Sequence, residues 1–332
     1  MTYDLITVGR VNMDLFAQDI GVAFEHITGF DAAVGGSPSN VAMATSRLGL
    51  STVAFTAVGD DTVGDFVLRY LRDTGVVVDH VIRKPGKRTS AALVGVQPPD
   101  HFPLTFFRDD PADIYLTVDD AADLPVGEST AVLLSGNAFS RGTCADAARR
   151  VAEMADQSDA ITFMDLDLRP TDWSHPHAYG LTLRSVLPAV DVVIGTEEEL
   201  YSLLAPDPGA VAEGAVLPDA DRDLLETSVT ELVESGMVGT VVRKCGAGGV
   251  TVLTDSDRID VPGFAVDAVN TVGAGDAFAS GLIWSRLNGA DWYQAGRFGN
   301  ACGAIVVTRH GCAVAFPTND EVIEFAAAAG GF

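Results

Sequence analysis

Asn270-Thr271-Val272-Gly273-Ala274-Gly275-Asp276, followed by AFASGLIW at 277–284, is a glycine turn that opens directly into an amphipathic helix. The glycines let the backbone bend and let a ligand approach closely. The first N–H groups of a helix lack partners and lie at the positive end of its dipole. Such a turn forms an anion hole suited to a phosphoryl group in transit. Asp276 stands at its lip. It reads either as the acceptor of a proton from an attacking hydroxyl or as a plain N-cap; the turn alone leaves both open.

Outward from this turn, apolar runs alternate with helical patterns. Leu5–Gly9, Thr52–Val58, Ala131–Ser135, Ile161–Leu166, Val190–Gly195, Thr240–Lys244 and Val250–Thr254 read as buried strands. Pro38–Leu48, Val63–Asp73, Thr143–Asp156, Glu197–Leu204, Arg222–Glu234, Asp276–Asn288, Trp292–Val307 and Glu321–Ala328 read as helices. Gly49, Gly75 and Gly289 fall where helix C-caps belong. The alternation predicts an α/β fold: a doubly wound, mostly parallel sheet with helices on both faces. Asn12–Gly35 and Arg88–Leu116 break the pattern, reading as strands without helices between them. They are expected to form a small β-sheet lid from 12–35 and 88–116, leaving 1–11, 36–87 and 117–332 as the α/β domain. Pro206–Asp221 reads as a Pro/Gly/Ala/Asp loop, and His175-Pro176-His177 as part of a polar loop.

Composition narrows the function. In 332 residues, Asp and Glu number 46 against 21 Lys and Arg, a net charge of −25. Such a surface repels nucleic acid and anionic lipid. No run approaches a membrane span, and the N-terminus lacks a signal-peptide pattern, so a cytoplasmic location is expected. The four cysteines include no CxxC pair, which disfavours zinc or a disulfide framework. The first strand lacks GxGxxG and the chain lacks GxxxxGK[ST], disfavouring a Rossmann dinucleotide site and a P-loop. Asp14 lies just past the first strand, where open α/β sheets bind ligands. Gly35-Gly36-Ser37-Pro38-Ser39-Asn40 reads either as a hinge and helix cap or as a polyol grip, with Asn40 offering donors and an acceptor. Lys244-Cys245-Gly246-Ala247-Gly248-Gly249 is a turn between strands.

In order and spacing, these motifs resemble the ribokinase-like (PfkB-type) family of sugar kinases over essentially the whole chain. The resemblance implies transfer of the γ-phosphoryl group of ATP to a sugar hydroxyl under a closing lid. It implies Asp276 as general base, Gly273, Ala274 and Gly275 as anion hole, and Asp14, Gly36 and Asn40 as sugar contacts. Lys244, Gly246 and Gly249 would lie at the nucleotide, with Asn300 near the adenine. Glu199 would hold Mg²⁺ through water, as the last residue of an Asn-x-x-Glu motif. Two positions depart from the family: Thr196 stands for that Asn, and Asn270 for the usual Asp. Monovalent-cation activation and a homodimer paired through the lids occur among such enzymes.

Phe106-Phe107-Arg108-Asp109-Asp110-Pro111, Asp165-Leu166-Asp167-Leu168-Arg169-Pro170 and the tail Arg309-His310-Gly311-Cys312 are similar to one branch, the 5-dehydro-2-deoxygluconokinases of myo-inositol breakdown. Asn270 also fits that branch. Its keto-deoxy sugar acid carries a carboxylate, which suits a bidentate arginine. Arg108 and Arg169 are the candidates, with Arg10 behind them. Each has a bland reading too: Arg169 paired with Asp165 or Asp167, Arg108 with Asp109 or Asp110. A 2-keto-3-deoxygluconate kinase and a ribokinase- or fructokinase-type enzyme are the alternatives. A non-catalytic sugar sensor is the distant one, favoured only by Thr196 and Asn270.

Overall fold

Tyr3–Val8 (β1) is the strand about which the chain winds both ways in a nine-stranded sheet. The computed structural model describes residues 2–97, 101–206, 217–309, 311 and 313–332. Asn12–Ala17 (β2) and Phe30–Gly35 (β3) leave the main sheet, and Ser37–Arg47 (α1) returns to it. Thr52–Gly59 (β4) then pairs in parallel with β1, and Val81–Lys84 (β5) with β4, across Thr62–Asp73 (α2). After Ser90–Val94 (β6) and Leu104–Phe107 (β7), Ser129–Ser135 (β8) pairs on the other side of β1. Cys144–Asp156 (α3), Ile161–Asp165 (β9), Pro176–Arg184 (α4), Val192–Thr196 (β10), Glu197–Leu204 (α5), Asp219–Glu234 (α6) and Thr240–Lys244 (β11) extend that side in parallel. Val250–Thr254 (β12) and Arg258–Val261 (β13) close it antiparallel. Ala274–Leu287 (α7), Trp292–Val307 (α8) and Asn319–Ala328 (α9) follow.

The sheet order is β13-β12-β11-β10-β9-β8-β1-β4-β5, and β3-β2-β6-β7 form a separate four-stranded sheet. The α/β expectation holds because the central strands are apolar on both faces. Ile6, Val8, Val132, Leu134 and Met164 pack toward α3 and α4, while Leu5, Leu133, Phe163 and Val242 pack toward α7. Strands β5 and β13 escape the sequence reading because they are short edges carrying Arg and Lys or Arg and Asp, half open to water.

One loop expectation is corrected. The His175-Pro176-His177 stretch starts helix α4: His175 is its N-cap, accepting the His177 N–H at Nδ1 (3.1 Å), and Pro176 occupies the first turn, where a missing N–H does no harm. The Pro206–Asp221 loop reading falls mostly outside the described residues, though α6 already begins at Asp219. His310 and Cys312 of the tail motif also lie outside them. Among the described residues, no helix is long and apolar enough to cross a membrane.

Candidate active site

Polar side chains gather along the carboxyl edge of the parallel strands, at the ends of the neighbouring β1, β8 and β9. This is the crevice in which open α/β sheets hold ligands. The turn before α7 forms one wall. Gly273 is the N-cap of α7 with φ 86°, a left-handed backbone, and makes no side-chain cap bond. The helix therefore begins at Ala274, and Asp276 lies inside its first turn. Asn40 Nδ2 donates to Asp276 Oδ2 at 2.7 Å across 236 positions of sequence, and Ser37 also donates to it. The choice left open by the sequence thus falls against a cap. Burial pushes the Asp276 carboxyl up, Asn40 pulls it back, and Asp167 pushes it up again.

Gly36 precedes α1 with φ 99°, and a Cβ there would stand 2.6 Å from the Arg10 carbonyl oxygen. Its bare backbone lets β3 turn into α1 against the end of β1. Asn40 is thereby held beside Asp276. Asp14, on β2, is buried and accepts from Asn12. Burial drives its carboxyl up to about 7, while Arg10 and Asn12 oppose this.

Past β9, Asp167 has φ 38°, a conformation rare for a residue with a Cβ. Its Oδ2 accepts from Ser135 Oγ at 3.0 Å, and its Oδ1 lies 3.0 Å from Arg169 Nε. Burial would raise this carboxyl, but Arg169 and Arg10 outweigh it and hold it below the usual range. The ion-pair reading of Arg169 is therefore met by Asp167, with the side chain still 32 % exposed.

Arg108 is more fully engaged. Nη1 and Nη2 reach Asp113 at 2.7 and 3.0 Å, and Nη1 also donates to Ser90 Oγ at 3.0 Å. The partner is Asp113, not Asp109 or Asp110. Asp113 also accepts the Val11 N–H at 3.1 Å, so the pair fixes the backbone next to Arg10. As a substrate ligand Arg108 is poorly placed: its paired terminal nitrogens already face a buried carboxylate.

Lys244 ends β11 and turns back into the crevice. Its Nζ lies 3.0 Å from Asp165 and 3.6 Å from Glu199. A side-chain carbon at Gly275 would stand 3.7 Å from that Nζ. Burial pulls the ammonium down, but Asp165 and Glu199 prevail and hold it above the usual lysine range. Gly246–Gly248 form the turn to β12, closed by the Cys245 N–H donating to the Gly249 carbonyl at 2.9 Å. A surface cleft there is lined by Cys245, Gly248, Thr251, Asp260 and Pro262. Asn300, on α8, donates to the Pro262 carbonyl at 3.0 Å, next to that cleft.

The two departures from the family pattern have local causes. Thr196 is the N-cap of α5 in a capping box with Glu199, each side chain bonding the other's backbone N–H. Asn270 is fully buried; its amide donates to the Gly311 carbonyl at 3.2 Å and its oxygen accepts the Val272 N–H at 3.0 Å. An Asp could not make the first bond. Glu199 also accepts the Leu168 N–H at 3.0 Å. Among the described residues, no three His, Cys, Asp or Glu side chains are placed to hold a metal ion. With its oxygens on backbone donors and near Lys244, Glu199 does not fit a protein-caged metal. It fits a hydrated Mg²⁺ carried on phosphate oxygens, the mode that ion prefers. Sequence reasoning passed over Ser37, Asp165 and Asp167 as site residues; the strained Asp167 backbone and the crevice position of all three emerge only in three dimensions.

A doubly wound sheet with a detached four-stranded sheet, and a glycine-opened helix at its crevice, is the architecture of ribokinase-like sugar kinases. The chain belongs to that group: the pfkB family carbohydrate kinase model matches residues 3–319. It is therefore a phosphotransferase with an alcohol group as acceptor. The chain is 31% identical over 324 residues to 5-dehydro-2-deoxygluconokinase 2 of Bacillus cereus, covering 97% of this chain and 94% of that one. It is 28% identical to the 5-dehydro-2-deoxygluconokinase of Listeria innocua, covering 96% and 94%. Among solved structures, a fructokinase with bound ATP from Xylella fastidiosa superposes with a TM-score of 0.82 at 25% identity, covering 99% of both chains. A putative ribokinase II from E. coli, in complex with ATP and Mg²⁺, matches in fold with a TM-score of 0.83 at 22% identity, covering 98% and 99%.

Proposed function

We propose that this kinase transfers the γ-phosphoryl group of ATP to the terminal hydroxyl of a keto-deoxy sugar acid, with 5-dehydro-2-deoxygluconate of myo-inositol catabolism as the substrate. The observation that carries the chemistry is Asp276: it lies at the mouth of the glycine turn, is no cap, and is oriented by Asn40. The sugar hydroxyl gives its proton to Asp276 as its oxygen bonds the γ-phosphorus. The bond from that phosphorus to the bridging β-γ oxygen breaks, and ADP leaves with the electron pair. Charge on the moving group is met by the N–H groups of the Gly273-Ala274-Gly275 turn, of which that of Ala274 now donates to the Thr271 carbonyl at 3.2 Å and has to turn to the phosphoryl group, and by the Lys244 ammonium behind Gly275. Phosphoryl transfer needs such positioning and charge stabilisation more than covalent chemistry. Mg²⁺, held through water by Glu199, would neutralise the donor phosphates; a role for a monovalent cation stays within the same reading. Asp14, Gly36 and Asn40 grip the sugar, Arg169 reaches it from the β9 side, and Gly246, Gly249 and Asn300 border the nucleotide. Segments 12–35 and 88–116 act as the lid. Arg108 positions the lid base through Asp113. The substrate assignment rests on the relatives' similarity across nearly the whole chain.

Asp276→Asn should lower kcat by about 10²–10⁴-fold, the usual worth of a positioned base, while sugar-acid binding, followed by calorimetry, persists. Wild-type turnover in this variant would remove Asp276 from the proton transfer. The enzyme is also read as a homodimer paired through its lids. β7 is an edge strand whose Leu104, Phe106 and Phe107 are exposed, an unpaired apolar edge of the kind a second strand covers.

A further inference from the structure

Arg10 lies two residues past the end of β1, and its side chain is 7 % exposed. A guanidinium carries five N–H donors and stays charged, so burying it is unfavourable unless it is paired and hydrogen-bonded. The other buried arginines obey this rule. Arg108 is bidentate on Asp113, Arg243 is bonded to Glu226, and Arg297 donates to the Pro262 and Gly331 carbonyls at 2.8 and 2.9 Å. Arg10 differs. Its guanidinium makes no hydrogen bond with the described residues; a buried Nε without a partner it shares with Arg108 and Arg243, but those two are bonded through their terminal nitrogens. The nearest carboxylate oxygen is Asp172 Oδ2 at 3.9 Å, which already accepts Asn137 Nδ2 at 2.8 Å. Asp167 is taken by Ser135 and Arg169. From the small sheet, the Phe106 ring covers the guanidinium at 5.6 Å.

The position matters as much as the missing partner. Arg10 lines a small cavity with Arg108, Arg141 and Asn137. Ser39 Oγ donates to the Arg10 carbonyl at 3.1 Å, one residue from the Asn40 that holds Asp276, and Asp14 feels the charges of both Arg10 and Asp276. A ligand reaching from Asp276 past Asp14 to Arg10 needs a hydroxyl at one end and an anion at the other. A planar carboxylate matches the N–H edge of a guanidinium through two parallel hydrogen bonds.

We infer that Arg10 is the residue that binds the carboxylate of the substrate and sets the preference for sugar acids over neutral sugars. The inference rests on the sugar-acid reading above. Arg108, clamped to Asp113, holds the Val11 backbone beside Arg10 and does not itself bind the acid.

The test compares wild type and Arg10→Met on 5-dehydro-2-deoxygluconate and on the analogue whose carboxylate is reduced to an alcohol, with Mg-ATP saturating. Wild type should prefer the acid, and the variant should lose about 30-fold or more of that preference, mainly in KM for the acid, as when one partner of a buried charge pair is truncated. Thermal melting gives a second reading: the acid should raise the melting temperature of wild type but barely that of the variant. Without sugar, the variant should melt no lower than wild type, since it removes a buried cation that has no hydrogen bond and only a 3.9 Å contact with Asp172. If the variant keeps the wild-type acid preference, Arg10 is not the receptor while the sugar-acid reading stands. If wild type itself uses acid and alcohol equally, the sugar-acid reading fails and the inference with it. A variant that melts well below wild type and loses both substrates makes Arg10 a structural cation, which also overturns the proposal.

Discussion

Asp14 shows how one residue couples stability to function. Its carboxyl is driven by burial to about 7, against an ordinary 3.8. The folded chain therefore holds this proton more tightly than the unfolded chain. Stability falls as pH rises between those two values and stays lower above them. At about 1.4 kcal/mol per unit, the unfavourable contribution amounts to a few kcal/mol at neutral pH. Asp14→Asn should therefore gain stability relative to wild type on going from pH 4 to pH 8, as read by urea unfolding at each pH, while its turnover on the sugar acid falls. A wild-type-to-variant difference that stays flat with pH would mean that the carboxyl is not so perturbed. At this scale the sequence was partly legible. Asp276, Asn40 and Asp14 stand out by local motif. The partners of Arg108 and Arg169 were not readable, because acidic residues flank both and only the folded chain selects Asp113 and Asp167. The isolation of Arg10 could not be read at all, since it is defined by bonds that are absent among its neighbours in space.

The elements were more legible than the pairings. Thr240–Lys244, Val250–Thr254, Glu197–Leu204 and Trp292–Val307 have the same ends in sequence and structure. Their apolar periods are strong, and α5 and α8 carry capping boxes at Thr196 and Asp291. Where burial is shallow, as in β5 and β13, the period fades and the strand is lost to the eye. Helix α7 shows the limit of a cap argument. The sequence starts it at Asp276, but Gly273 can take a positive φ and so starts it earlier, leaving the carboxylate to Asn40 and Ser37 rather than to a cap. β7 carries a prediction of its own. If its apolar edge pairs with a second copy, wild type should sediment as a dimer at micromolar concentration and Phe107→Lys, at a side chain 60 % exposed, should sediment as a monomer. A monomeric wild type would contradict lid pairing.

For the whole molecule, the arrangement of charge is the main lesson. A net −25 surface repels an anionic sugar acid and a nucleotide alike. In the proposed function, recognition of both rests on a few cations placed at the crevice: Lys244 beneath the glycine turn, Arg169 and Arg10 on the sugar side. Backbone N–H groups supply the rest without adding charge. The composition disfavours nucleic acid and anionic lipid as partners. It could not locate these cations, because an arginine in an acidic chain has acidic neighbours everywhere.

The central claim, an acid-selective sugar kinase, is tested most directly by coupled ADP release with Mg-ATP on 5-dehydro-2-deoxygluconate, 2-keto-3-deoxygluconate, ribose and fructose. The account predicts a kcat/KM about 100-fold or more higher for the first, roughly 2.7 kcal/mol of transition-state discrimination. A preference for ribose or fructose, or silence on all four while ATP still binds, would contradict it.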